Sequence, residues 1–246
     1  MTLPALVLVH GGEHAADCWD LTVDELRRQE PDLRVLAVDL PGRRGKQGDL
    51  ATATIAQWTD SVVADIEDAR LGDIVIVGHS MAGVTVPSVA SRLGTPRVRE
   101  MVLATAFVPP QGSAIVDTLA GPLAWFARRG AKRGEPMAVP TVVAGYAFCN
   151  GMTREQRTFA LSRLHKESVR IPTEVVDRSG LPHDVPRTWI LTTRDRALSV
   201  RSQRRSIEAL GRVQNVIPVD ACHDLMISHP RWLATTLIDR CRAASR

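Results

Sequence analysis

The stretch Ile74-Val75-Ile76-Val77-Gly78-His79-Ser80-Met81-Ala82-Gly83 joins four apolar residues to a serine set among small ones. A short Val/Ile run closed by glycine reads as a strand buried on both faces, the kind found in parallel sheets. The serine at its end has two readings. It is either the cap of a following helix or a nucleophile held in a tight strand-to-helix turn. Only small neighbours tolerate the crowding of such a turn, and Gly78 and Ala82 stand two residues to either side. The backbone N–H of Met81 would then face an oxygen developing charge, aided by the N-terminus of the next helix.

Working outward, further strand-like runs flank this one: ALVLVH (5–10), RVLAVDL (34–40) and EMVLATAFV (100–108), then TWILTTRD (188–195) and VQNVIPVD (213–220). Between the second and third lies TIAQWTDSVVADIEDA (54–69). Its Ile55, Trp58, Val62, Val63 and Ile66 share one helical face, and Thr54 with Gln57 makes a capping box. Strands alternating with helices predict an α/β fold with a mostly parallel central sheet flanked by helices. The alternation stops after Val108. Residues 109–186 hold Pro-Pro, the Trp125-Phe126 pair, a basic cluster and a helix starting near Thr153, but no buried strand pattern. The expected organisation is a core of residues 1–108 and 187–246 interrupted by a helical insert, 109–186. A last helix is expected from about Pro230.

Composition narrows the function. The 246 residues suffice for one sizeable domain, and 44% hydrophobic with 24% charged residues is ordinary for a globular chain. The net charge of +4 comes mostly from scattered arginines. The densest group, Arg128-Arg129 with Lys132-Arg133, reads as a solvated face rather than a nucleic-acid footprint. The four cysteines show no CxxC spacing, so neither a zinc nor a redox motif is indicated. No run approaches the ~18 apolar residues of a membrane span, and no secretory pattern opens the chain, so a reducing cytoplasm is expected. A small-molecule substrate is the expected partner, with no nucleic acid and no membrane. The oligomeric state, a homodimer included, is left open.

In open parallel sheets ligands bind at the carboxyl ends of strands, so the chemistry is sought there. The first strand ends in His10-Gly11-Gly12, where Gly12 has no side chain to shield a backbone N–H. His10 is a rival base but sits inside that turn. After VIPVD comes ACHDLMISHP, which places His223 in loop three residues past the strand and His229 at a helix start. His223 is the expected base; His79 would point away from Ser80, and His14, His165 and His183 lie in loop or insert. TWILTTRD ends in Asp195, whose carboxylate can accept from an imidazole N–H and fix its tautomer. The alternative is an aspartate that only starts a turn, as Asp39 does before Pro41-Gly42. The order Ser80, Asp195, His223 is the nucleophile-acid-base order of one large fold family.

The segments VHGG (9–12), DLPG (39–42), VGHSMAG (77–83), TTRD (192–195) and CHDLMISHP (222–230) together resemble the α/β-hydrolase family along nearly the whole chain. More narrowly, Cys18-Trp19 after VHGG makes it similar to small esterases related to plant methylesterases, bacterial pyrethroid-hydrolase-like enzymes and hydroxynitrile lyases. The resemblance implies Ser80 as nucleophile, His223 as base, Asp195 as acid, and oxyanion N–H groups from Gly12 and Met81. It also implies that 109–186 is a cap, and that neither a metal nor an organic cofactor is needed. The expected reaction is hydrolysis of a carboxylic ester or lactone. A non-hydrolytic enzyme on the same scaffold and a small-molecule receptor remain alternatives. Trp125, Phe126, Tyr146 and Phe148 either shape an apolar pocket or glue the insert to the core. Cyanohydrin-cleaving relatives carry Thr and Lys where this chain has Gly11 and Asp224, which disfavours that activity. Asp224 is expected to face solvent; facing the pocket, it would repel carboxylate substrates and raise His223.

Overall fold

The computed structural model describes residues 2–119 and 121–245, apart from the side chains at 121–123, 126, 127 and 131. In chain order the elements are β1 (Ala5–Val9), a 3-10 turn (Ala16–Trp19), α1 (Asp20–Gln29), β2 (Val35–Val38), α2 (Ile55–Asp68), β3 (Ile74–His79), α3 (Ala82–Leu93) and β4 (Val98–Ala104). There follow α4 (Ile115–Thr118), α5 (Gly121–Arg133), α6 (Thr141–Ala147), α7 (Arg154–Leu161) and a 3-10 turn (Ile171–Thr173). The chain closes with β5 (Arg187–Thr192), α8 (Val200–Leu210), β6 (Asn215–Val219), α9 (Leu225–Ser228) and α10 (Pro230–Ala244).

The described strands form one sheet in the order β2-β1-β3-β4-β5-β6, and every pairing is parallel. Alternation along each strand divides the core in two, because successive side chains leave opposite faces. Val7, Val9, Ile74, Ile76, Met101 and Trp189 face α2, α3 and α8. Leu6, Leu8, Val75, Val77, Val102 and Ile190 face α1 and α10. Both faces are therefore dry, which is why these strands read as continuous apolar runs. β6 is an edge strand, so its burial alternates instead.

Local signals explain the element ends. At the start of α2 the Thr54 hydroxyl accepts from the Gln57 backbone N–H (3.1 Å) while the Gln57 side-chain Oε1 accepts from the Thr54 N–H (3.0 Å). The strand expected over 100–108 stops at Ala104 because Thr105 takes φ 40°, a left-handed value that breaks the ladder. Between β4 and β5 the described residues hold helices and one isolated bridge, Met137 with Glu167, but no strand. α6 and α7 bury Ala144, Ala147 and Ala160 on the α1/α10 side, whereas Ile115 and Ile171 join the other core. The insert thus straddles the sheet's end. Among the described residues no helix is long and apolar enough to cross a membrane.

Trp58, 1% exposed on α2, is wedged against the sheet, whereas Thr54 only caps that helix. Urea denaturation should give a loss of about 3–5 kcal/mol for Trp58→Ala and ~1 kcal/mol for Thr54→Ala. Equal, small losses would contradict this packing.

Candidate active site

Parallel pairing brings the carboxyl ends of all these strands to one edge, and the strand order reverses between β1 and β3. A crevice opens at such a reversal, and Ser80 is the first residue past β3 there. Its φ of 52° is left-handed, a conformation that costs a non-glycine residue of order 1–3 kcal/mol. One local and two long-range bonds hold it: Ser80 O accepts from Gly83 N (3.0 Å), while the Ser80 N–H donates to Ala104 O (3.2 Å) and Ser80 O also accepts from Phe107 N (2.9 Å). The loop after β1 passes so close that a Cβ on Gly11 would lie 2.6 Å from Ser80 Cβ. That contact accounts for one of the two glycines of the His-Gly-Gly turn.

From Ser80 a line of hydrogen bonds runs through residues distant in sequence. Ser80 Oγ donates to His223 Nε2 (2.9 Å), and His223 Nδ1 donates to Asp195 Oδ2 (2.7 Å). Asp195 is further held by the Thr105 hydroxyl, by Thr192 Oγ1 (3.1 Å), and by the backbone N–H groups of Ala197 and Leu198 (2.7 Å each). Burial alone would raise the Asp195 carboxyl; the facing His223 and these donors outweigh it and hold it below the usual range. For His223 burial favours the neutral ring, but the charge and hydrogen bond of Asp195, then Asp224, raise it above an ordinary histidine. Thr105 and Thr192 were not singled out in the sequence. Their only signal is a hydroxyl residue at or just past the end of a strand, which acquires meaning once β4 and β5 are known to pair.

Gly12 and Met81 both line a cavity of about 140 Å³ that opens onto Ser80 and His223. Their backbone N–H groups have no acceptor within the described chain. The cavity's other walls are mainly apolar, with Phe107, Ile115, Met137, Val139 and Val169 prominent. Phe148 also lines it and stacks obliquely on His223 (centroids 5.3 Å). Trp125 and Tyr146 are 57% and 63% exposed, so neither is a core anchor. The Phe126 side chain lies outside the described ones. The basic cluster of α5, Arg128, Arg129, Lys132 and Arg133, is exposed, as a solvated face should be.

Other histidines are occupied elsewhere. His10 Nδ1 donates to Gly11 O (2.8 Å) and its Nε2 accepts from Leu40 N (3.2 Å). His79 Nε2 donates to His223 O (2.9 Å), with burial first among the influences that lower its pKa to about 3. His229 caps α10. Asp39 accepts from Ala16 N (2.7 Å), a structural contact in its turn. Among the described residues His79, His223 and Asp224 bring three possible ligand atoms within 4.8 Å. Of these residues, His79 Nε2 and both His223 nitrogens are hydrogen-bonded to protein groups, whereas His79 Nδ1 and Asp224 Oδ1 have no hydrogen-bond partner among the described residues.

Two features depart from the sequence reading. Asp224, expected at the surface, is 0% exposed, and its Oδ2 accepts from His14 Nε2 (3.2 Å). The pairing with a buried histidine overrides the ordinary preference of an aspartate for water. The second is a buried polar knot behind the β1 loop. Glu167 Oε2 accepts from Glu13 N (2.8 Å) and from the fully buried Arg43 (2.7 Å), and Glu13 Oε1 accepts from Val139 N (2.7 Å). It ties the loop after β1 and the turn after β2 to residues 137–168. Burial, then the neighbouring Glu167 charge, raises Glu13 to about 7 against the Val139 bond.

The base must be neutral to accept a proton, and the His223 pKa is raised. Any activity that uses it should therefore decline as pH falls, from a midpoint above the ordinary ~6.5 of histidine. A pH profile of kcat/KM with its acid limb below that value would contradict the arrangement.

Similarity to known proteins agrees with this geometry. Residues 6–236 match the alpha/beta hydrolase family. A carbendazim-hydrolyzing esterase of Nocardioides sp. is 34% identical over 115 residues, which cover 46% of this chain and 46% of that protein. The match therefore spans about half the length of that relative. An extracellular alpha/beta-hydrolase from a Paenibacillus species superimposes with a TM-score of 0.84 at 21% identity, covering 96% of this chain and 98% of the other. A pyrethroid hydrolase from Sphingobium faniae does so with a TM-score of 0.81 at 23% identity, covering 98% of each chain. With the match extending over nearly its whole length, this chain belongs to the alpha/beta hydrolase family.

Proposed function

We propose that this chain is a serine hydrolase acting on a carboxylic ester or lactone of a small, largely apolar substrate. The reading is carried by the contact of Ser80 Oγ with His223 Nε2 at 2.9 Å, backed by Asp195 at 2.7 Å, at the mouth of an apolar cavity. Ser80 attacks the substrate carbonyl as His223 takes its proton. Asp195 holds the ring in the Nδ1–H tautomer and stabilises the imidazolium that forms. The N–H groups of Gly12 and Met81 receive the oxyanion. His223 then protonates the departing alcohol, and a water molecule activated by the same imidazole releases the acid and restores Ser80.

Residues 109–186 act in this reading as the cap, and their apolar side chains at 115, 137, 139 and 169 select an apolar acyl or alcohol part. The esterase and hydrolase names of the similar proteins agree with it. No residue in the site demands a metal or organic cofactor for this chemistry. The four cysteines are free and buried, which suits a reducing, cytoplasmic setting.

Intact-mass spectrometry after fluorophosphonate treatment, with turnover of p-nitrophenyl acetate and butyrate, tests the proposal. The wild type should gain one adduct and hydrolyse both esters. Ser80→Ala should gain none and lose at least about 10⁴-fold in kcat while remaining folded. Undiminished turnover in Ser80→Ala defeats the nucleophile assignment, and an adduct without turnover defeats hydrolysis.

A further inference from the structure

His14 is 1% exposed and lies in the loop after β1, and both of its ring nitrogens face oxygens, one of a backbone carbonyl and one of a carboxyl group. Nδ1 is 2.8 Å from the Gly12 carbonyl, and Nε2 is 3.2 Å from Asp224 Oδ2. With Asp224 ionised, a neutral imidazole, which carries one proton, would leave a lone pair facing one of those oxygens; only the imidazolium then satisfies both. Asp224 is the ionised member of the pair. Burial would raise its carboxyl, but His14 first, then His79 and His223, hold it below the usual range.

The two ends of this pair sit at mechanistically distinct places. Asp224 directly follows His223. Gly12 belongs to a Gly-Gly pair, whose backbone has no side chain to restrict it locally. Its geometry is imposed from outside, by His14 on the Gly12 carbonyl, His10 on the Gly11 carbonyl and Glu167 on the Glu13 N–H. We propose that His14 is held as an imidazolium, and that the His14–Asp224 ion pair is a positioning pair fixing the Gly12 N–H relative to the imidazole of His223. The positioning role rests on the esterase reading above; the protonation state does not. Neither side chain is hydrogen-bonded to Ser80 Oγ or to the His223 ring, although His14 also lines the cavity. Their effect passes through Gly12 and through the backbone of His223.

The charged surroundings of His14 agree with this state. Burial favours the neutral ring, but the Asp224 charge and hydrogen bond, the Gly12 carbonyl and Glu13 together raise His14 to about 9. The Arg43 guanidinium, whose Nε donates to His14 O (2.9 Å), is the cation beside it; the neighbouring His10, His79 and His165 are themselves lowered, His14 being one of the causes, and His223 faces Asp195, while Glu167 lies one bond further out, on Glu13. The sign follows: the proton is present through neutral pH and is lost as pH rises past about 9. Glu13, raised to about 7, is ionised before that point and cannot produce the same limb.

Ring-¹⁵N NMR, assigned with His14→Gln, should show both His14 nitrogens protonated at neutral pH in the wild type and the ring neutral in Asp224→Asn. A neutral ring in the wild type overturns the proposal. In Asp224→Asn, kcat for p-nitrophenyl acetate and the rate of fluorophosphonate labelling should each fall about tenfold to a hundredfold, with KM within about threefold, as for a displaced oxyanion donor. The alkaline limb near 9 should vanish with them. Wild-type kcat and labelling in a folded Asp224→Asn overturn the positioning role; should that variant fail to fold, His14→Gln, which keeps one donor, is read the same way. If the wild type turns over no ester, the esterase reading fails by itself, and NMR and labelling still decide this one.

Discussion

Ser80 adopts a left-handed backbone at the point where the strand order reverses, and the surrounding structure is organised around keeping it there. A residue with a side chain does not hold φ 52° unaided. The ladder partner Ala104, the loop residue Phe107 and the first turn of α3 each contribute a hydrogen bond to its backbone. The all-parallel sheet makes this economical. One register along β1, β3, β4 and β5 delivers His10 to Gly12, Ser80, Thr105 and Asp195 to the same edge, and β6 adds His223. A strained turn and a rigid sheet together yield a hydroxyl that sits 2.9 Å from its imidazole.

The second organising principle is the treatment of buried charge. His223 lies between two carboxylates, both far from water. Asp195 is surrounded by hydroxyl, imidazole and backbone donors, a solvation shell assembled from β4, β5 and the loop after β5. Asp224 has one hydrogen-bonding side-chain partner, His14, and its Oδ1 is left 4.0 Å from His79. Removing a charge from water is costly unless it is paired, so the poorly solvated Asp224 depends on His14 far more than Asp195 depends on any one donor. The same logic binds Arg43 to Glu167 behind the β1 loop. Buried ion pairs of this kind contribute little net stability, but they leave few alternative placements for the loops that carry them.

Much of the architecture was legible because it rests on short-range rules. Alternation of apolar strands with amphipathic helices announced the parallel sheet, and Thr54 with Gln57 announced the start of α2. The break in that alternation announced the stretch between β4 and β5, whose described residues form no strand. The candidate site residues were legible for a related reason: in parallel sheets the useful positions are strand ends, and those can be counted along the chain. Ser80, Gly12, Met81, Asp195 and His223 all follow from that counting, and the fold brings them together.

What escaped were contacts set by partners remote in sequence. Asp224 and His14 are 210 residues apart, and a charged residue in a loop carries no local mark of burial. Thr105 and Thr192 fell inside expected strands, and Glu13, Arg43 and Glu167 carried no local signal of burial. The sequence by itself determined the elements, their order and the strand ends where chemistry could sit, because hydrophobic period and turn composition act over a few residues. Only the tertiary structure decided which polar groups are withdrawn from water and whom they face, because the cost of burying a charge depends on the partner that the whole fold supplies.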